Sequence, residues 1–263
     1  MFRVRSFKAF GKGYEILCDV PVDSEWLDLM LPGFADSGPS SEDRHSLSIV
    51  TNGREESRGL YYGNERLCTF DGFNEETARG FEGNIEFVLA RNAAPEFVFV
   101  HAGAVSLEGI GIVFPSKTGS GKTTLTRALL ELGAEYFSDD CAVIDSQGML
   151  YPMASPMKLR TESGKRSWLD PARAGYSKSE EPVKVGCVLL TDFEQGTRFD
   201  PSAITPGEAS LGILENLFLP SVIRDCPAET LAAIGRAVEG SLLLKGTRGE
   251  AIETANVLRS RLS

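Results

Sequence analysis

Lys122-Thr123-Thr124 closes a run of small and polar residues, Ser116-Lys117-Thr118-Gly119-Ser120-Gly121, and Asp139-Asp140 follows downstream. These residue types at this spacing can hold a triphosphate. Glycines let the chain curl so that successive backbone N–H groups converge on an anion. A lysine just past them reaches the outer phosphates, and the next hydroxyl can hold magnesium. Here those residues are Lys122 and Thr123. Ser116 stands where the first glycine of the usual pattern belongs, so the loop entrance must turn differently. Of the two aspartates, one can support the metal and the other can accept a proton from an attacking hydroxyl. On a continuous strand they would point to opposite faces, so they share a role only if the strand has ended or bulged. A solvated acidic turn is the plainer alternative for the pair.

The flanking sequence supplies elements to position these groups. Ile110-Gly111-Ile112-Val113-Phe114 reads as a strand into the loop, and a helix follows to about Leu132, with Gly133 at its end. Its free N–H groups and dipole add to the anion site. Residues 97–105 read as an apolar strand, turned back by Glu108-Gly109. His101 lies inside that strand, where position alone makes it a core residue. Residues 134–138 lead into Asp139-Asp140, which puts both carboxylates on the sheet edge that carries the phosphate loop. Residues 141–144 and 149–151 flank a hairpin turn, residues 185–190 form a central strand, and Lys158-Leu159-Arg160 lies in a polar segment. Helices are expected over 211–217, 228–238 and 251–262, with a last strand at 241–244.

Upstream, short strands are expected near Phe2, Val4 and residues 14–18, a helix over 25–31, and a mobile polar loop over 34–43. A strand over 46–50 and a hairpin over 60–70, turning at Gly63-Asn64, come next. Asn74 caps a helix to about Asn92, with Phe81, Ile85, Val88 and Leu89 on one face. The expected fold is α/β: a P-loop core with a mixed β-sheet flanked by helices, residues 93–263. A small β-rich part, residues 1–92, packs on it.

With 263 residues the chain can bury a sizeable core. Its formal net charge of −10 argues against a broad nucleic-acid surface and against an anionic membrane surface. Five cysteines, odd in number and widely spaced, suggest neither a disulfide framework nor a zinc site. The N-terminal residues lack the apolar core of a signal peptide, and no apolar run approaches a membrane span, so a cytoplasmic protein is expected.

His101-Ala102-Gly103-Ala104-Val105, a hairpin, Gly119-Ser120-Gly121-Lys122-Thr123, a helix and Asp139-Asp140 together resemble the catalytic domain of the HPr kinase/phosphorylase family and its related serine kinases. The resemblance covers about residues 96–145 and is faint beyond. It implies the fold shared with phosphoenolpyruvate carboxykinase, with ATP and Mg2+ as cofactors. It implies transfer of the γ-phosphate to a serine hydroxyl of a protein or peptide, a precursor peptide being one such acceptor. It brings His101 next to the transferred phosphate and assigns Asp139 as catalytic base beside Lys122. Residues 116–124 then bind the nucleotide, Thr123 contacts magnesium, and Asp140 supports it. Arg160 is a candidate substrate contact, although its surroundings do not match the family's substrate-gripping segment, which leaves HPr itself in doubt as substrate. HPr kinases assemble as hexamers, so a homo-oligomer is admitted. The competing functions are a small-molecule kinase of the same fold and a nucleotide sensor without catalysis.

Overall fold

The computed structural model describes residues 1–31, 33–34, 44–117, 119–153, 155–160 and 166–262, with backbone alone at Arg160 and Arg166. Thr118 and residues 35–43 of the expected polar loop lie outside the described residues. The chain divides into two compact units, Met1–Ala93 and Ala94–Ser263.

In the first unit, β1 (Phe2–Ala9), β2 (Lys12–Cys18), β3 (Arg44–Val50), β4 (Gly59–Tyr62) and β5 (Glu65–Thr69) form one sheet in chain order. All its pairs are antiparallel except β2–β3. Tyr14, Ile16 and Cys18 are buried on β2 while their neighbours are half-buried, the alternation of a sheet with one covered face. Helix α1 (Ser24–Met30) begins where the Asp23 carboxylate accepts the Glu25 N–H at 2.7 Å. Helix α2 (Glu75–Ala93) begins where Asn74 Oδ1 accepts the Thr77 N–H at 2.9 Å. Phe81, Ile85, Val88 and Leu89 are all buried, as their spacing predicts.

The second unit is built on a mixed sheet in the order β6-β10-β11-β14-β8-β7-β9, with β16 beside β14 and β15 on β16. The elements run β6 (Phe97–Val100), β7 (Ala102–Leu107), β8 (Ile110–Pro115), α3 (Lys122–Glu131), β9 (Glu135–Ser138), β10 (Ala142–Asp145), β11 (Met149–Tyr151), β12 (Met157–Arg160) and β13 (Arg166–Leu169). Then come β14 (Val183–Phe193), β15 (Ser202–Ala203), α4 (Pro206–Leu214), α5 (Ser221–Asp225), α6 (Pro227–Val238), β16 (Leu242–Arg248) and α7 (Ala251–Leu262). Successive residues of the central strands feed opposite faces. Val113 and Val188 join the core under α4 and α6, whereas Ile112, Phe114, Cys187 and Leu189 join the core under α3 and α7. Helices thus cover both faces of an α/β sheet.

Three expectations are corrected. Residues 97–105 are not one strand: the chain breaks at His101, because β6 pairs with β10 while β7 pairs with β8 and β9. The His101 N–H leaves the ladder and donates to Asn216 O at 2.6 Å. The polar segment around Lys158 is a strand, β12, paired antiparallel with β13. Helix α4 starts before residue 211, at a Thr205/Glu208 capping box with Pro206 in its first turn.

All five cysteines are free: Cys18, Cys141 and Cys187 are buried, Cys68 and Cys226 half-buried. Among the described residues no helix is long and apolar enough to cross a membrane.

Candidate functional site

Strand directions gather the chemistry on one edge of the second unit's sheet. β14 runs parallel to both β8 and β16, and β7 is antiparallel to its neighbours β8 and β9. The C-terminal ends of β8, β9, β14 and β16 therefore share an edge with the start of β7. The phosphate-loop residues leave β8, the aspartates leave β9, and His101 precedes β7. Ligands of open α/β sheets collect on such an edge.

The loop after Pro115 turns through Gly119 and Gly121, with φ of 89° and 83°, the left-handed region that glycine enters without strain. Ser116, at the position of the missing glycine, closes the loop with its side chain: Ser120 Oγ donates to Ser116 Oγ at 2.7 Å. The Ser116 N–H also donates to His101 O at 3.3 Å, which ties the loop entrance to the break before β7. Lys122 opens α3 and is buried, its ammonium donating to Ser116 O at 2.7 Å and Lys117 O at 3.2 Å. Burial lowers its pKa, against the opposing pull of Asp140 and Asp139.

Strand β9 ends at Ser138, whose hydroxyl accepts the N–H groups of Asp140 at 3.3 Å and Cys141 at 2.9 Å. That turn gives the two aspartates different surroundings. Asp139 is 2% exposed and accepts Thr123 Oγ1 at 2.7 Å and the Lys158 N–H at 3.0 Å, with the Tyr136 hydroxyl 3.4 Å away. Burial raises its carboxyl pKa, and the bonds from Thr123 and Lys158 only partly oppose the rise. Asp140 keeps 32% of its side chain exposed and pairs with Lys158 Nζ at 3.1 Å; Lys122 Nζ lies 3.9 Å away. Burial alone would raise its carboxyl, but Lys158, Lys122 and His101 outweigh it and hold it below the usual carboxylate value. The His101 ring packs on Phe218, with centroids 4.6 Å apart.

Lys122, Thr123, Asp139 and Asp140 are thus linked directly, with His101 acting on Asp140 through its field. Thr118 and the Arg160 side chain lie outside the described residues. Two members of the cluster were not singled out by sequence. Lys158 touches both aspartates, through its N–H and its ammonium. Tyr136 holds the segment beyond by donating to Ser155 O at 2.8 Å. Lys158 could have been found from the alternation Met157-Lys158-Leu159, which buries Met157 and turns the lysine the other way.

Thr123 and Asp139 offer only oxygen atoms, and among the described residues no three His, Cys, Asp or Glu side chains converge as a metal site. Such a donor set fits a hard cation that takes one or two protein ligands and completes its shell with phosphate and water, as magnesium does.

No family model and no curated protein matches this chain. Among solved structures, the Hpr(Ser) kinase/phosphatase from Coxiella burnetii aligns over 62% of this chain and 96% of its own, at 15% identity and a TM-score of 0.33.

Proposed function

We propose that the chain is an ATP-dependent kinase that transfers the γ-phosphate to a serine hydroxyl of a protein or peptide. The observation that carries this reading is the Thr123–Asp139 hydrogen bond at 2.7 Å, which joins the phosphate-loop helix to the carboxylate pair. A merely structural glycine turn has no need of that link. In this reading the amides of residues 119–123 and the Lys122 ammonium hold the triphosphate. Thr123 would hold magnesium, with Asp139 behind it as the acceptor that orients the Thr123 hydroxyl, and the ion would supply charge neutralisation on the phosphate oxygens.

The local geometry favours exchanging the roles that the sequence resemblance assigned to the aspartates. Asp139 is the stronger base, but it is buried and already accepts from Thr123 and the Lys158 N–H. Asp140 meets solvent beside Lys122, so it is the carboxylate an incoming hydroxyl can reach. It accepts the hydroxyl proton, and Lys158, relinquishing Asp140, follows the charge to the phosphate. His101 acts on the same carboxylate through its field. Catalysis is then mainly positioning and charge stabilisation.

The test is incubation with γ-labelled ATP, magnesium and a panel of serine-containing peptides and proteins, followed by mapping of the label. Phosphoserine on a peptide supports the reading. Label on a small molecule points to a small-molecule kinase, and ATP binding without any labelled acceptor points to a sensor.

A further inference from the structure

Arg248 ends β16 at the site edge and is 2% exposed. Its Nη2 donates to Ser120 O at 2.8 Å and Gly121 O at 2.9 Å, and Nη1 to Gly249 O at 3.4 Å. The guanidinium lies 5.5 Å from the centroid of Phe193, its partner in the β14–β16 register. Among the described residues no ion pair includes Arg248, and its Nε has no hydrogen-bond partner. A buried cation without a counter-charge is costly. It is best explained by something it does for its neighbours.

We infer that Arg248 is a positioning residue for the phosphate loop and the resident positive charge of the anion site, an inference that rests on the loop binding phosphate. The reason lies in the peptide plane, where C=O and N–H point in opposite directions. Holding Ser120 O against the guanidinium turns the Gly121 N–H away from it. Holding Gly121 O does the same for the Lys122 N–H. Both donors are thereby aimed at the opposite side of the loop, where a phosphate is received. Gly121 O also accepts the Leu125 N–H at 3.1 Å, so the same clamp fixes the first turn of α3. A side chain at 121 would meet Arg248 directly: a Cβ there would lie 2.6 Å from Nη2. The lysine comes from the first turn of α3 and this arginine from the end of β16.

The experiment compares wild type with Arg248→Met, Arg248→Gln and Arg248→Lys. Thermal unfolding is recorded for each, and ATP and inorganic tripolyphosphate are titrated by calorimetry. Arg248→Met is expected to weaken both ligands by about 10- to 100-fold and by the same factor, the loss expected for bonds to a charged group. Equal factors place the loss in the phosphate contacts, which a purely structural role would not do. Arg248→Lys should recover part of the affinity and Arg248→Gln less. Unchanged affinity in any folded variant lacking the charge overturns the proposal. So does failure of all three variants to fold, since Arg248 would then be a stability element. If wild type itself binds neither ligand, the phosphate-loop reading fails first, and that result is distinct from a loss confined to the variants.

Discussion

Asp139 and Asp140 are adjacent in sequence and opposite in environment, and their titration should show it. The folded chain holds the Asp139 proton more tightly than the unfolded chain, because burial raises its pKa. Its contribution to stability is therefore complete below the unfolded carboxylate value and is lost as pH rises through the folded one. Asp139→Asn removes the buried charge. At pH 8, free of nucleotide and metal, the variant should melt above wild type. The gap should narrow as pH falls toward 5; a gap that widened would refute the buried-charge account. Asp140→Asn should instead lower phosphoryl transfer by ~10²–10⁴ while leaving ATP affinity nearly intact, as loss of a positioned base does. Single-turnover transfer beside calorimetry separates the two. Lys122→Ala should cost ~10²–10³ in turnover, the scale for one preorganised charge-stabilising donor. At this scale the sequence was legible in identity rather than in role. Lys122, Thr123 and the two aspartates were readable because glycine spacing and carboxylates carry chemical meaning by themselves. Which aspartate is buried depends on where β9 ends, and that is decided by the Ser138 hydroxyl.

At the scale of elements, β12, paired with β13, brings Lys158 to the aspartates. Lys158→Met removes the main cation that holds Asp140 low, so the acid limb of the kcat/KM–pH profile should move upward. An unmoved limb would show that Asp140 does not govern it. The β7–β8 hairpin sets the loop from the other side. Gly103 on β7 faces the Phe114 ring so closely that no Cβ fits between them. Gly103→Ala should cost about 1–3 kcal/mol by overpacking, measured by denaturant unfolding. The apolar run through residues 97–105 read as one strand because periodicity records burial, and both β6 and β7 are buried. It carries no mark of the exchange of partners at His101. Strands β8 and β14 were readable for the converse reason: both of their faces are covered, and an uninterrupted apolar run belongs to no other kind of strand.

At the scale of the whole molecule, each unit has its own buried apolar residues and its own sheet. Expression of residues 94–263 alone should give a cooperative unfolding transition and retain tripolyphosphate binding, because the clustered site residues all lie in that stretch. The order of strands and helices read from the sequence foretold an α/β chain, and its length a sizeable core. Neither could foretell Arg248, since a lone arginine near the end of a strand has no sequence signature; the sheet brings it to the loop by pairing β16 with β14, the neighbour of the loop strand β8. The cysteines have a practical consequence. The two half-buried thiols fall one in each unit, Cys68 and Cys226, and burial pushes Cys68 up to about 11, so it holds little thiolate at neutral pH. A maleimide dye should therefore attach at Cys226 first and a second dye at Cys68 later, an order that mass spectrometry of the digested protein would check. The unaltered chain then carries its own fluorescence ruler, and energy transfer between the two dyes reports whether nucleotide changes the distance from one unit to the other.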